Sequence, residues 1–339
     1  MRCRATYRGF ESHLFRQNLS ENPCIARVIV SFNLFLRYAK YVLICGFYFD
    51  KIYYIEVSTA LIMEVARLII IGEKINGAIP KTAEAISNKD NTYIRELAVK
   101  QAEYGADYID VCAGTDPAVE RDTLRWLIDI VQDAVDIPIC IDSPDCGVIL
   151  DMIPHVNIPG MINSVSEEHG KCEQLFPEIA GSEWKIIALT CDNSGISLDP
   201  DVKIKIGSII IDKAKKHGID EDRLFIDPLV TTLSTTGNSL EIFIATMEGI
   251  RAEYPGVHFT SGLSNISFGM PFRSAINREF LALAMNAGMD SAIMDPLSAD
   301  LRATLYATEA LLGKDRNCRR FLNAYRKGTI GNKSSSVKK

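Results

Sequence analysis

Between Leu68 and Pro296 the chain carries eight short apolar runs that stop at polar residues, separated by segments of helical character. The runs are LIIIGEK (68–74), DYIDVCAG (107–114), IPICIDS (137–143), GMINSV (160–165), KIIALT (185–190), RLFIDP (223–228), VHFTSGLS (257–264) and SAIMDP (291–296). Helices are expected at 91–104, 120–135, 145–152, 167–180, 200–217, 238–253, 273–287 and 300–312. Gly105, Gly218 and Gly288 stand where three of these helices should stop, and glycine is the usual residue just past a helix C-terminus. Alternation of strand and helix favours a parallel sheet with helical crossovers. Ile69–Ile71, Ile139–Ile141 and Ile186–Leu189 are apolar at every position, as strands covered on both faces should be. The expected class is α/β, and eight strand–helix units without long linkers fit a single (β/α)8 TIM barrel. An open doubly wound sheet is the main alternative. It would more often carry a glycine-rich phosphate turn after its first strand, and G-x-G-x-x-G is absent.

In a parallel barrel the C-terminal ends of the strands gather on one face, where barrel enzymes build their sites. Four endings present a carboxylate or carboxamide there: Asp142 in ICIDS, Asn163 in GMINS, Asp227 in LFIDP and Asn265 in GLSNIS. A carboxylate only accepts hydrogen bonds, whereas a carboxamide donates and accepts. Asp142, Asn163 and Asp227 around one mouth suit a flat heterocycle with several N–H donors and one carbonyl, and would repel a phosphate. Each also has a competing structural use. Asp142-Ser143-Pro144 and Asp227-Pro228 are good cap or turn sequences, and for any one residue the two uses weigh about equally. In GLSNISFG (262–269) the glycines and Ser264 allow a tight loop, from which Asn265 can offer an N–H to a reacting nitrogen. An Asn in such a loop is otherwise an ordinary turn residue. Glu73 ends the first strand and is expected chiefly to bond backbone in the mouth. Asp110 and Cys112 end the second strand, with Asp110 either supporting a ligand or satisfying buried backbone. Asp295 reads as a cap for the last helix. Arg273 and Arg278 read either as solvated rim charges or as contacts for an anionic substrate tail.

Composition removes several function classes. The 339 residues are 47% hydrophobic and 24% charged, which leaves ample material for a barrel of about 250 residues. A formal net charge of -6 argues against a nucleic-acid surface. The nine cysteines are scattered without a C-x-x-C pair, the pattern of reduced thiols in a cytoplasmic protein. The five histidines show no H-E-x-x-H spacing, so no metal site is expected. No G-x-S-x-G elbow supports acyl transfer.

Taken together, IIIGEKING, YIDVCAGT, ICIDS, MINS, FIDPL, GLSNISFG and INREFLALAMNAGMDSAI resemble the methyltetrahydrofolate:corrinoid-protein methyltransferases. These belong to the pterin-binding barrel superfamily, with dihydropteroate synthase and a domain of cobalamin-dependent methionine synthase. The resemblance covers about 68–325. It implies a homodimeric methyltransferase that binds tetrahydrofolate or methyltetrahydrofolate and meets a corrinoid, cobalamin, carried by a partner protein. By motif match it implies pterin binding by Asp142, Asn163 and Asp227, with Asp110, Glu73 and Ser264 in the same shell. It assigns contact with pterin N5 to Asn265 and the rim arginine to Arg273. Two departures stand out: Cys112 occupies a position where several relatives have Asn, and Phe268 one where acetogen enzymes have a polar residue. The GLSNISFG and DVCAGT wording resembles most the members that serve glycine betaine, methylamine or O-demethylation systems. A dihydropteroate synthase-like enzyme and a non-catalytic pterin-binding module are the competing readings. The first would carry a Ser-Arg-Lys type motif where this chain has GLSNIS, and the second would lack a donor at Asn265.

Residues 1–62 have no counterpart in that resemblance. RGFESHLFR resembles the translated 3′ half of a transfer-RNA gene. Val28–Phe49 has the length of a membrane span but carries Arg37 and Lys40, each costly near a bilayer centre. The expectation is an atypical extension, a barrel over 63–330 with translation starting at Met63, and a disordered tail at 331–339. A membrane anchor is the weaker alternative. N-terminal sequencing of the native protein should begin at Met63; peptides recovered from residues 1–50 would overturn this start.

Overall fold

The computed structural model describes residues 44–48, 51–55 and 67–331. The chain divides into two compact units, Met1–Val65 and Ala66–Lys339. In the first, Ile44–Tyr48 and Lys51–Ile55 form an antiparallel hairpin with Tyr48 opposite Lys51. The Met63 start, the membrane alternative and the tail beyond Gly331 lie outside the described residues.

In the second unit β1 (Ile69–Asn76), β2 (Tyr108–Cys112), β3 (Ile139–Asp142), β4 (Met161–Glu167), β5 (Lys185–Asp192), β6 (Leu224–Asp227), β7 (His258–Phe259) and β8 (Ser291–Met294) pair in parallel, β8 beside β1. The barrel closes where Ile293 N donates to Ser261 O at 2.9 Å. The helices are α1 (Pro80–Ser87), α2 (Asn91–Glu103), α3 (Pro117–Ala134), α4 (Cys146–Met152), α5 (Lys171–Ile179), α6 (Pro200–Lys216), α7 (Ser239–Glu253), α8 (Arg273–Ala287), α9 (Ala299–Leu311) and α10 (Arg319–Arg326). Their starts follow local chemistry. Side chains of Asp90, Asp116, Asp145, Asp199 and Ser298 accept from first-turn N–H groups, which otherwise have no partner.

Two expectations are corrected. The described residues hold ten helices rather than eight, because α1 fits between β1 and α2 and α10 follows the eighth unit. The seventh strand was expected over 257–264, but only His258–Phe259 is extended, and Leu263–Ser267 winds into a 3₁₀ turn. The Asp290 carboxylate takes over as partner there, accepting Phe259 N at 2.8 Å and lying 2.7 Å from His258 Nδ1. Past Thr260, Ser-Gly-Leu-Ser-Asn lacks the β-branched residues that favour an extended chain.

Successive side chains of a strand point to opposite faces. The inward set forms a small closed cluster of Ile71, Cys140, Met161, Ile187 and Phe225, all fully buried, with Ile69, Tyr108, Leu189 and Ile293 packed on it. The outward set, including Ile70, Ile109, Ile141, Ile162, Ile186 and Ile226, joins the larger core beneath the helices. The barrel is therefore plugged by apolar side chains, and anything bound in it must sit above that plug.

Gly160 sets how closely β3 and β4 approach. A Cβ there would lie 1.9 Å from Ile139 O, inside a pairing that places Asp142 opposite Asn163. Gly160→Ala should cost about 2 kcal/mol or more in urea denaturation, the scale of an overpacked core; an unchanged midpoint would contradict this role.

Candidate active site

Two residues beyond the plug, the same strand faces turn polar. Glu73 follows Ile71, Asp110 follows Tyr108, Asp142 follows Cys140, Asn163 follows Met161, Asp227 follows Phe225 and Asp295 follows Ile293. The period of two that fills the plug thus delivers these groups to one layer at the C-terminal mouth. Register brings neighbours together: Cys112 lies opposite Asp142, and Asp142 opposite Asn163. Asn163 Nδ2 donates to Asp110 Oδ1 at 3.2 Å. Asp110 and Asp227 are 2% and 5% exposed, while Glu73, Asp142 and Asn163 remain partly open.

Burial without a counter-charge shapes the chemistry. No described Lys or Arg forms an ion pair with Glu73, Asp110, Asp142 or Asp227. Burial pushes the Glu73 carboxyl up to about 7, helped by Asp295 and opposed by Lys74 and Arg273. Burial pushes Asp142 up to about 6 against a hydrogen bond from Cys112, and Glu120 adds to the rise. It lifts Asp110 well above the carboxylate range, with the Asp142 charge as the next cause. Asp227 also rises to about 6 by burial, opposed by the N–H groups of Leu229 and Gly262 and by Lys203. Such a layer is short of donors. A ring edge with several N–H groups satisfies it, and an anion does not.

The competing structural uses now separate. Asp142 caps no helix among the described residues: Asp145 caps α4, accepting from Gly147 N at 2.7 Å and Val148 N at 3.3 Å. Asp227 does hold backbone, with Oδ1 accepting Leu229 N at 2.7 Å and Oδ2 accepting Gly262 N at 3.4 Å. Glu73, expected to bond backbone, makes no such bond among the described residues. Asp295 is not the cap of α9, which is Ser298. Asp295 instead accepts Leu297 N at 2.9 Å and pairs with Lys74 at 3.0 Å.

Asn265 sits in the 3₁₀ turn with an exposed side chain and no hydrogen-bond partner among the described residues. Gly262 makes room for it, since a Cβ there would lie 2.8 Å from Asn265 Nδ2. Arg273 grips this turn: Nη2 donates to Ser264 O at 2.8 Å and Nε to Ser267 Oγ at 3.0 Å. The backbone carbonyl of Ser264 is thus the part of that residue engaged by Arg273. Arg278 reaches away, to Thr304 on α9 at 3.3 Å.

Sequence reading missed the Lys74–Asp295 pair. Along a regular strand Lys74 and Glu73 point to opposite faces, but pairing of β1 with β2 shifts register between Gly72 and Ile75. A bulge of this kind re-aims a side chain, and nothing in GEKIN announces it. Lys203 and Glu120 were also missed, because both read as ordinary helix polar residues yet are buried.

The family described as pterin binding enzyme matches residues 80–295. The methylcorrinoid:tetrahydrofolate methyltransferase of Eubacterium limosum is 50% identical over 266 residues, covering 78% of this chain and 98% of that enzyme. Methionine synthase of Mycobacterium tuberculosis is 31% identical over 245 residues, 68% of this chain but 20% of that longer protein. Among solved structures, dihydropteroate synthase of Xanthomonas albilineans in complex with 7,8-dihydropteroate superposes with TM-score 0.54 at 18% identity, covering 73% of this chain and 94% of that one. The Burkholderia cenocepacia dihydropteroate synthase gives TM-score 0.54 at 13% identity, covering 80% and 97%. These two likenesses establish the barrel fold.

The raised carboxyls make the cup a pH-dependent liability. A carboxyl whose folded value lies above its unfolded one favours the folded state at low pH, and that contribution is lost as pH rises through the folded value. Between about pH 4 and 7 the free protein should therefore lose stability from Glu73, Asp142 and Asp227. Asp142→Asn should stabilise the free protein at pH 8 by on the order of 2 kcal/mol, seen as a higher melting temperature, and change little at pH 4. An equal effect at both values would refute the electrostatic account.

Proposed function

The chain belongs to the pterin-binding enzyme family, and from that premise we propose that it moves a methyl group between N5 of tetrahydrofolate and the cobalt of a corrinoid carried by a partner protein. The observation that carries this reading is the donor-hungry polar layer directly above the apolar plug, with a carboxamide on an exposed turn at its edge. The Eubacterium limosum enzyme names the same pair of substrates. A homodimer, and a preference for glycine betaine, methylamine or O-demethylation systems, belong to the same reading.

The pterin ring lies in the cup, with its N–H edge toward Asp142 and Asp227 and with Asn163, oriented by Asp110, alongside. The layer fits such a ring because Asp142 and Asp227 accept hydrogen bonds and neither forms an ion pair with a described Lys or Arg. The plug of Ile71, Cys140, Met161, Ile187 and Phe225 keeps the ring from sinking, so N5 and its methyl face outward. Corrinoid cobalt supplies the methyl in one direction and, as cobalt(I), the nucleophile in the other. Written from methylcorrinoid to tetrahydrofolate, an N5–carbon bond forms and a cobalt–carbon bond breaks. The bond pair stays on cobalt, and the N5 proton leaves. In reverse, N5 must gain positive character before it can depart. The Asn265 carboxamide can accept the N5 proton's hydrogen bond in one state and donate to the N5 lone pair in the other. An interaction that strengthens as charge develops lowers the barrier, with one neutral donor worth a few kcal/mol. Holding the ring in a near-attack pose contributes about 7–11 kcal/mol. Ser264 and Arg273 act by shaping the turn that carries Asn265.

A dihydropteroate synthase-like enzyme and a non-catalytic pterin module share the fold. The exposed, unpartnered carboxamide of Asn265 favours methyl transfer over both.

Mixed with methyltetrahydrofolate and cobalt(I) cobalamin, the protein should generate the methylcobalamin spectrum. Asn265→Ala should slow turnover about 100-fold or more while pterin Kd changes little. Asp142→Ala and Asp227→Ala should chiefly weaken pterin binding, about tenfold or more. Full methyl transfer by Asn265→Ala at saturating substrate would remove Asn265 from this role.

A further inference from the structure

Lys203 stands in the first turn of α6 and is 1% exposed. A lysine this deep costs several kcal/mol unless its donors and charge are met. Its Nζ donates to Pro228 O at 2.8 Å and to Leu229 O at 2.9 Å. Those carbonyls belong to the turn that leaves β6 directly after Asp227. Leu229 there has φ 55, a left-handed conformation that non-glycine residues adopt only when the surroundings hold them in it. Thr190 on β5 completes the hold, its Oγ1 donating to Asp227 O at 3.2 Å. All three carbonyls of Asp227-Pro228-Leu229 are thus bound by side chains, two of them by one ammonium. The same turn returns Leu229 N to Asp227 Oδ1 at 2.7 Å.

We propose that Lys203 is a positioning residue of the cup: it locks the turn that aims Asp227 at the mouth and supplies the positive charge that keeps this carboxylate able to accept N–H donors. The assignment rests on the pterin reading above. Lys203 touches no substrate and acts through Asp227. It is the charged group that acts on Asp227, favouring its ionised form. Asp227 and the Cys191 thiol on β5 in turn oppose the burial that depresses the Lys203 ammonium. The other partners of the Asp227 carboxylate are the N–H groups of Leu229 and Gly262. An apolar side chain could fill the volume under the turn but would leave the Pro228 and Leu229 carbonyls without a donor, and a neutral donor could serve those carbonyls, so the charge of the buried ammonium points to a use beyond packing.

The test compares the unaltered protein with Lys203→Met and with Lys203→Gln, which keeps N–H donors for the carbonyls but loses the charge. Methyltetrahydrofolate affinity and melting temperature are both followed from pH 5 to 8. Removing the cation leaves Asp227 protonated to higher pH. The pterin Kd of both variants should therefore rise tenfold or more near pH 6 and recover toward pH 8. Independently of any ligand, the melting-temperature deficit of both variants should widen as pH rises, because the ionised carboxylate loses its counter-charge. In an Asp227→Asn background both pH dependences should vanish, the signature of coupling between the two side chains. A deficit that is the same at every pH and additive with Asp227→Asn would mean a packing role alone and overturn the proposal. If Lys203→Met does not fold, Lys203→Gln decides by the same criteria. If neither variant folds while Asp227→Asn does, the lysine serves the fold rather than the carboxylate, and the proposal fails. Loss of pterin binding by the unaltered protein would instead overturn the folate reading, and the melting data would still judge the tether.

Discussion

The alternation of side chains along parallel strands is the constraint from which the rest follows. One periodicity places Ile71, Cys140, Met161, Ile187 and Phe225 in a closed apolar plug and, one pleat higher, lines the mouth with carboxyl and amide groups. Shifting any strand by one residue would exchange its inward and outward sets. It would put an isoleucine in the cup and a carboxylate under a helix. The apolar plug and the polar layer above it are therefore not separable in this barrel.

The cup is built under electrostatic tension. Several carboxyl groups share a small buried volume, and burial, with neighbouring carboxylate charges at Glu73, Asp110 and Asp142, lifts each above its ordinary range. The protein relieves only part of this, through backbone N–H groups at Asp227, an amide at Asp110 and distant cations. The remaining demand for donors is what a pterin edge can meet. Sites commonly sacrifice stability for recognition in this way.

The loops after the strands divide the labour. The turn after β6 is bound through three carbonyls by Thr190 and Lys203. The turn after β7 is held at its base by Arg273, while the Asn265 side chain stays unengaged. A fixed acceptor and a free carboxamide suit a site in which the ring must stay still while the hydrogen bond at N5 changes character.

Much of this was legible from the chain. Eight apolar runs, their glycine stops and the polar residues at their ends announced the barrel and placed Asp142, Asn163 and Asp227 at the C-terminal ends of its strands, because strand period and parallel topology are local properties. The same local rules overextended the seventh strand, where the Asp290 carboxylate, 31 residues away from Phe259, takes the backbone bond. They assigned backbone contacts to Glu73, beside a register shift between Gly72 and Ile75 that pairing with β2 sets, and a cap to Asp295, where Ser298 caps the helix instead. Lys203 looked like one more polar residue on a helix. Which face of α6 is buried, and which carboxylate lies beneath it, depends on how distant segments pack. Periodicity along the chain thus determined which residues reach the mouth, and three-dimensional packing alone decided their partners, their charge states and the turn that each one rides on.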